Sequence, residues 1–185
     1  FGIIGGIDDY KKIKSKTSDG ISGKLRLLIE FILALIFIYF LQRYIDESLI
    51  NSINIPYLKD FSINIGIIYF FLGSLVIVGS ANAVNLTDGL DGLAIGPSII
   101  TALSFALIAY FSGNYIFANY LKIPFVLGSG ELVIICSALI GAGLGFLWFN
   151  APPAMVFMGD TGSLSVGGTI GAVAVASKHE IILLI

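Results

Sequence analysis

The sequence predicts an all-α membrane protein, a polytopic helix bundle with about five complete transmembrane helices. Of the 185 residues, 57% are hydrophobic and only 12% are charged, which is more apolar surface than a soluble domain of this size can bury. Apolar runs of about 18 residues recur along the chain, and this is the length that a helix needs to cross a bilayer. We therefore expect a lipid bilayer as a partner and no nucleic acid.

The first 26 residues are polar and basic, and they hold six of the ten Lys and Arg residues. Loops with an excess of Lys and Arg face the cytoplasm in membrane proteins, so we place this segment on the cytoplasmic side. The first predicted span follows at about residues 25–41. Glu30 lies just inside its cytoplasmic end, where a charge that is satisfied at a helix end is favoured over a functional role.

The remaining predicted spans alternate across the bilayer. The pairs Gly141/Gly145 and Gly167/Gly171 have the small-xxx-small spacing that is typical of close helix contacts. In the loop at 112–130, short apolar pieces favour structure at the membrane interface. The four spans lie at about residues 65–80, 93–111, 131–149 and 163–177.

This alternation brings three loops to the cytoplasmic side. On the opposite side, we interpret Lys178, His179 and Glu180 as a short solvated turn. Acidic side chains at one membrane surface favour an enzyme site over a transporter, because transporters place their ionisable groups near the bilayer midplane. The cytoplasmic loops hold the aspartates Asp8, Asp9, Asp19, Asp88, Asp91 and Asp160.

The segment from Asn82 to Ala94, N-A-V-N-L-T-D-G-L-D-G-L-A, is unusually rich in polar residues and glycine. A turn that only joins two helices needs one or two such residues. Asp-Gly repeated at a spacing of three gives a backbone that bends closely around a ligand, with acidic side chains on adjacent turns. The alternative is a helix N-terminus at which Asp88 is the cap and Asp91 complements the helix dipole.

Two further acidic motifs lie far from this segment in the chain. Adjacent Asp8 and Asp9 repel each other unless they share a cation or a proton, and Lys12 lies on the same helical face. An ordinary acidic helix end is the alternative. Asp160, in F-M-G-D-T-G-S, lies between glycine-containing turns directly before the last span, where the local interpretation is an N-cap of that helix. Five converging carboxylates would repel a diphosphate, so such a site requires Mg²⁺ and lysines that hold phosphate oxygens.

Three blocks of the sequence resemble the polyprenyl-phosphate hexose-1-phosphate transferases. They are G-G-I-D-D-Y-K-K from Gly5, the Asn82 segment, and G-A-G-L-G-F-L-W-F-N-A-P-P-A-M-V-F-M-G-D-T-G-S-L from Gly141. The blocks are most similar to the branch that transfers phospho-N-acetylmuramoyl-pentapeptide from its UDP derivative to undecaprenyl phosphate. That reaction yields lipid I and UMP in peptidoglycan synthesis, at the cytoplasmic face of the bacterial inner membrane.

The resemblance also implies a role for individual residues. Asp8, Asp9 and Asp160 are the expected catalytic residues, and Asp160 is the expected ligand of the Mg²⁺ cofactor. Asp8 would be the base or the nucleophile, and Phe157 would stack on uracil. A second copy of the chain is a further candidate partner. The expected substrate-binding residues are Lys12, Lys24, Asn82, Asn85, Asp88, Asp91, Asn150 and Phe157.

Two alternative functions remain open from the sequence. One is transfer of N-acetylglucosamine-1-phosphate to the same lipid by a related enzyme, and the other is a membrane transporter. We expect residues 1–185 to be a single transmembrane catalytic domain that is incomplete at both ends, because the sequence starts at Phe1 inside a family-like loop and stops at Ile185 in a new apolar run, before the histidine-rich motif of the family.

Overall fold

The computed structural model describes residues 1–16, 20–56 and 62–184, and this part of the chain is an α-helical bundle. The predicted all-α class is confirmed. A small antiparallel hairpin, which the sequence did not predict, pairs Ile53 with Ile63. The helices are α1 (Gly2–Ser15), α2 (Gly23–Leu41), α3 (Ile68–Thr87), α4 (Ile95–Ser112), α5 (Tyr115–Leu121), α6 (Leu132–Asn150) and α7 (Gly159–Ala176), and the strands are β1 (Ser52–Asn54) and β2 (Ser62–Asn64).

The five predicted spans correspond to α2, α3, α4, α6 and α7. Among the described residues, three segments are long and apolar enough to cross a membrane: Ile68–Thr87, Ile95–Ser112 and Ser129–Asn150. Only 11% of the most apolar window of the last segment is buried inside the bundle, so its apolar side chains face outward, as they do in a lipid-facing helix. The protein is therefore embedded in a membrane.

Helix α7 packs between the other helices and organises the core. One hydrophobic cluster joins α2 and α3 to the end of α7 through Ile38, Ile77 and Val175. A second cluster joins α4 and α6 to α7 through Phe105 and Ile170. Helix α1 packs along α7 as well, and the start of α7 lies against α1 between Gly5 and Asp9.

Two glycines of α7 allow its close approach to α3. A Cβ atom at Gly167 would lie 2.4 Å from the carbonyl oxygen of Ser80, and one at Gly171 would lie 2.8 Å from the Cα of Ile77. The predicted helix contact at this pair is confirmed.

The predicted contact at Gly141 and Gly145 is wrong. Both glycines face open space in the described structure. Gly143 lies at the α6–α4 contact instead, and a Cβ atom there would lie 2.8 Å from Cγ1 of Ile99. The spacing of the pair was right for a packing motif, but the pair lies on the outer face of α6.

The turn after α7 is buried, which corrects the prediction of a solvated turn. The exposed fractions of Lys178, His179 and Glu180 are 0%, 7% and 0%. The Oη of Tyr69 donates a hydrogen bond to Glu180, and the Lys178 ammonium lies 3.8 Å from the centroid of the Tyr69 ring. We call Tyr69, Lys178 and Glu180 the far-end cluster, because they lie at the end of the bundle opposite to Asp160.

Candidate active site

Three of the predicted catalytic carboxylates meet at one end of the bundle. Asp8 and Asp9 lie on α1 and Asp160 lies on the first turn of α7, and one oxygen of each lies within 4.8 Å of the others. The two helices come this close because residue 5 is glycine: a Cβ atom there would lie 2.2 Å from the carbonyl oxygen of Asp160. The sequence therefore brings together acids that are separated by about 150 positions.

The carboxylate of Asp160 accepts hydrogen bonds from side chains of three other helices. Its Oδ2 accepts from the ammonium of Lys12 at 2.7 Å and from Nη1 of Arg26 at 3.3 Å. Its Oδ1 accepts from the amide of Asn85 at 2.7 Å, and the same amide donates to the hydroxyl of Ser163. Cations from α1 and α2 and an amide from α3 thus converge on a single carboxylate.

Asp9 caps the N-terminus of α7. Its Oδ2 accepts from the backbone N–H of Thr161 at 2.9 Å and from the Thr161 hydroxyl at 2.7 Å, and its Oδ1 accepts from the N–H of Asp160 at 3.3 Å. A carboxylate at this position satisfies free N–H groups of the helix and complements its dipole. The cap therefore comes from α1, and not from Asp160 as the local alternative from sequence would require.

Asp8 is buried, with an exposed fraction of 2%. It pairs with the ammonium of Lys12 at 2.6 Å and accepts from the backbone N–H of Ile21 at 2.5 Å. A Cβ atom at position 20 would lie 2.3 Å from an Asp8 oxygen, so only glycine allows the chain to pass here. The segment before α2 covers this carboxylate.

Asn82 and Asn85 lie on the last two turns of α3, which corrects the prediction that both belong to a loop. The helix continues to Thr87 because Ala, Val, Asn, Leu and Thr contain no helix breaker in this stretch. The amide of Asn82 donates to Glu30 at 2.6 Å, and its oxygen accepts from Nη2 of Arg26 at 3.5 Å. The asparagines thereby join α2 and α3 to the acidic cluster.

The two loops at this end are tied together by Asp91 and Asn150. Asp91 accepts from the N–H of Ala154 at 3.0 Å. Asn150 accepts from the N–H of Gly92 at 3.0 Å and donates to the carbonyl of Val156 at 2.8 Å. Both side chains thus fix the shape of the loops, and neither contacts the three clustered acids.

Phe157 and Lys24 are exposed at the edge of the site. The exposed fraction of Phe157 is 71%, which leaves its ring free to stack on a flat ligand. Lys24 lies exposed on the first turn of α2, whereas Arg26 reaches Asp160. Asp19 lies outside the described residues.

The charges in the site influence each other. The hydrogen bonds of Lys12 with Asp160 and Asp8 raise the pKa of its ammonium, so it stays charged at neutral pH. Burial, and then the negative charge of Asp160, raise the pKa of Asp88. The shift of Lys12, and the part of the Asp88 shift that comes from Asp160, reflect negative charge that stabilises a cation at this end.

Sequence reasoning missed Arg26 and underrated Glu30. Arg26 was counted only as one of six basic residues, although it is the second cation on Asp160. Glu30, which was expected to be a helix-end charge, has an exposed fraction of 0%. The sequence does contain one signal for their contact: Arg26 and Glu30 are four residues apart near the start of an apolar helix, so they lie on the same helical face.

The donor set fits a hard divalent cation. Mg²⁺ prefers carboxylate oxygens and is usually bound through one or two carboxylates together with phosphate oxygens and water. The ammonium of Lys12 lies between the carboxylates of Asp8 and Asp160, so this cluster already stabilises a positive charge. Asp8, Asp9 and Asp160 can therefore bind a metal ion.

The sequence from residue 1 to residue 178 matches the family described as Glycosyl transferase family 4. This match covers nearly the whole chain, including α1, the Asn82 segment and the start of α7. The chain therefore belongs to glycosyl transferase family 4, and it is a polyprenyl-phosphate sugar-1-phosphate transferase.

Proposed function

We propose that the protein transfers phospho-N-acetylmuramoyl-pentapeptide from its UDP derivative to undecaprenyl phosphate. A phosphate oxygen of the lipid forms a bond to the β-phosphorus of the nucleotide sugar, and the bond between the β-phosphorus and the bridging oxygen breaks. The products are lipid I and UMP. The observation that carries this proposal is the meeting of Asp8, Asp9 and Asp160 beside Lys12 at one end of a membrane bundle.

The residues of the cluster suit phosphoryl transfer, which depends mainly on positioning and on neutralising charge. A bound Mg²⁺ supplies neutralisation of the two phosphates and makes the β-phosphorus more electrophilic. Asp160 and Asp9 are the residues that would hold this ion. Lys12 and Arg26, which already contact Asp160, would turn to the phosphate oxygens of the substrates.

Asp8 has a more restricted role in this geometry than a free base would have. Its carboxylate is buried, and it is bonded to Lys12 and to the N–H of Ile21. A role as base or nucleophile requires residues 20–22 to move away from it. In the arrangement seen, Asp8 holds the ammonium of Lys12 toward Asp160, and this positions a phosphate-binding cation.

The nucleotide would lie between the Asn82 segment and the loop that follows α6. Asn85 and Asp88 lie beside Asp160, and Phe157 presents an exposed ring for uracil. Asp91 and Asn150 would support this pocket by holding the two loops together.

We place the site on the cytoplasmic side of a bacterial inner membrane. Six basic residues lie at the Asp160 end, from Lys11 to Arg26, whereas Arg43, Lys122 and Lys178 lie toward the other end. This asymmetry matches the excess of positive charge in cytoplasmic loops. A water-soluble nucleotide sugar would meet a lipid phosphate there, while the lipid tail stays in hydrocarbon.

The proposal is tested with membranes that contain the natural protein. UDP-N-acetylmuramoyl-pentapeptide and UDP-N-acetylglucosamine are each supplied with undecaprenyl phosphate, and the release of UMP is measured with Mg²⁺ and with EDTA. We expect Mg²⁺-dependent release from the muramoyl-pentapeptide donor alone. Release only from UDP-N-acetylglucosamine would instead assign the related N-acetylglucosamine-1-phosphate transfer, and release that persists in EDTA would contradict the metal.

A further inference from the structure

A carboxylate lies fully buried inside the apolar helix α2. Glu30 is two turns from the start of this helix and has an exposed fraction of 0%. Burial of a charge in such surroundings is costly unless it is paired and hydrogen-bonded. A side chain of this kind has a structural reason or a functional reason to be there, and its partners distinguish the two.

The partners of Glu30 belong to the candidate active site. Its Oε2 accepts from the amide of Asn82 at 2.6 Å. Its Oε1 lies 3.8 Å from Nε of Arg26, and neither of these two buried atoms has a hydrogen-bond partner among the described residues. The two atoms face each other across a gap that a small rotation of either side chain would close.

The same two partners lead on to Asp160. Arg26 donates from Nη1 to Asp160 at 3.3 Å and from Nη2 to the oxygen of Asn82 at 3.5 Å. The guanidinium therefore has one edge toward Glu30 and Asn82 and another edge toward the carboxylate that would hold the metal ion. Because the guanidinium is planar and rigid, fixing one edge also orients the other.

We infer that Glu30 is a positioning residue of the active site, which acts through Arg26 and Asn82 to orient the guanidinium at Asp160. This inference rests on the proposed function. Without Glu30, the guanidinium would keep Asp160 as its sole anionic partner and would compete more strongly with a metal ion for that carboxylate. When Glu30 is present, it shares the guanidinium of Arg26 with Asp160. Arg26 then competes less with a metal ion for Asp160 and can bind phosphate oxygens of a substrate.

The test uses Mn²⁺ as the probe, because its binding to the detergent-solubilised natural protein is measured by electron paramagnetic resonance without any turnover. Glu30→Gln keeps an oxygen for the Asn82 amide but places a neutral NH2 group, in place of the charged oxygen, toward Arg26. We expect the dissociation constant of Mn²⁺ to rise about tenfold or more, as is typical when a residue that supports a metal ligand is lost. The value of kcat/KM for UMP release should fall by a similar factor.

A double variant separates action through Arg26 from a direct charge effect. In an Arg26→Met background, we expect Glu30→Gln to change the Mn²⁺ dissociation constant by less than about twofold, since coupled residues are not additive. Arg26→Lys keeps the positive charge but loses the fork that contacts both Glu30 and Asp160, so it should show the same loss as Glu30→Gln. This variant also serves if Glu30→Gln does not accumulate in membranes.

Glu180→Gln is the matched control, because Glu180 is equally buried but lies in the far-end cluster. We expect it to leave Mn²⁺ binding unchanged. Wild-type Mn²⁺ affinity in Glu30→Gln or in Arg26→Lys would overturn the inference, and so would an undiminished effect of Glu30→Gln in the Arg26→Met background. If the wild-type protein binds Mn²⁺ but releases no UMP, the proposed function fails while the Glu30 test still stands.

Discussion

Both ends of the bundle contain charged side chains, but their surroundings shift the pKa values of Lys178 and Lys12 in opposite directions. In the far-end cluster, burial lowers the pKa of Lys178 to about 8 and raises the pKa of Glu180, so both groups are driven toward their neutral forms. At the other end, hydrogen bonds with Asp160 and Asp8 raise the pKa of Lys12 and keep it charged. Burial therefore does not by itself identify a functional charge.

The partners explain this difference. Lys178 donates to the backbone carbonyl of Ser52 and lies on the ring of Tyr69, so its contacts tie the hairpin to α3 and α7. The side chains on Asp160 are more open, since 35% of Lys12 and 21% of Arg26 are exposed. A closed cluster stabilises the fold, whereas a partly open cluster with excess carboxylates can exchange its own cations for a ligand.

The largest expected effect is on turnover, and it distinguishes a variant at Asp160 from a variant in the far-end cluster. Asp160→Asn should lower the turnover for UMP release by at least about 100-fold, because the charge that would hold the metal ion is lost. Glu180→Gln, at the other end, should leave turnover within about twofold. Both variants are compared for insertion and for thermal unfolding in detergent. Near-normal turnover in Asp160→Asn would remove Asp160 from the catalytic residues.

The next effect concerns stability at the far end. Lys178→Met removes the positive charge that offsets part of the cost of burying Glu180 and should lower the free energy of unfolding by about 1 to 3 kcal/mol, the usual cost of a buried polar group that loses compensation. The double variant Lys178→Met/Glu180→Gln removes both charges and should recover most of this loss. Thermal unfolding measures the difference. If the double variant is as unstable as the single one, the charge of Lys178 does not offset the burial of Glu180, and the loss comes from the other contacts of Lys178.

A smaller effect distinguishes the two roles of Asp9. Thr161→Val removes one hydrogen-bond donor to Asp9 and should cost about 1 kcal/mol of stability, the usual size of a helix cap, with little loss of turnover. Asp9→Asn keeps one acceptor oxygen for Thr161 but loses the charge and the acceptor for the N–H of Asp160. We expect it to cost about 1 kcal/mol of stability, as Thr161→Val does, but to lower turnover more than about tenfold. Full turnover in Asp9→Asn would make Asp9 a helix cap alone.

Much of the helical framework was predictable because hydrophobic runs report directly on membrane helices. The grouping of the acidic motifs was predictable, because each motif lies next to a predicted span on the same side of the membrane. The prediction of a loop at Asn82 and Asn85 rests on the polarity of their side chains. Asparagine nevertheless continues a helix that is supported by packing, and α3 runs to Thr87.

The far-end cluster and Glu30 could not be predicted, because their burial depends on tertiary contacts. Lys178 and Glu180 follow an apolar run, as a solvated turn would, whereas in the structure the unpredicted hairpin and Tyr69 contact them. Glu30 lies near a helix start, and its link to the site depends on Arg26 and on Asn82, which is 52 positions away. The sequence alone does not show that two residues so far apart in the chain lie next to each other in the fold.

The smallest effect tests whether the negative charge at the site end is excessive in the absence of a metal ion. The folded-state pKa of Asp88 is raised by burial and by Asp160, so its ionised form destabilises the fold at a pH above that pKa. Asp88→Asn should therefore raise the unfolding temperature at pH 7.5 in EDTA by less than about 2 °C. The gain should decrease as the pH falls through the folded-state pKa and vanish below 3.8, where the carboxyl group is mostly protonated in the unfolded chain as well. Millimolar Mg²⁺ should also reduce the gain, because a bound cation offsets the repulsion between Asp88 and Asp160. A gain that is the same with EDTA and with Mg²⁺ would mean that no cation binds near Asp88, and the contrast between the two ends would lose its electrostatic basis.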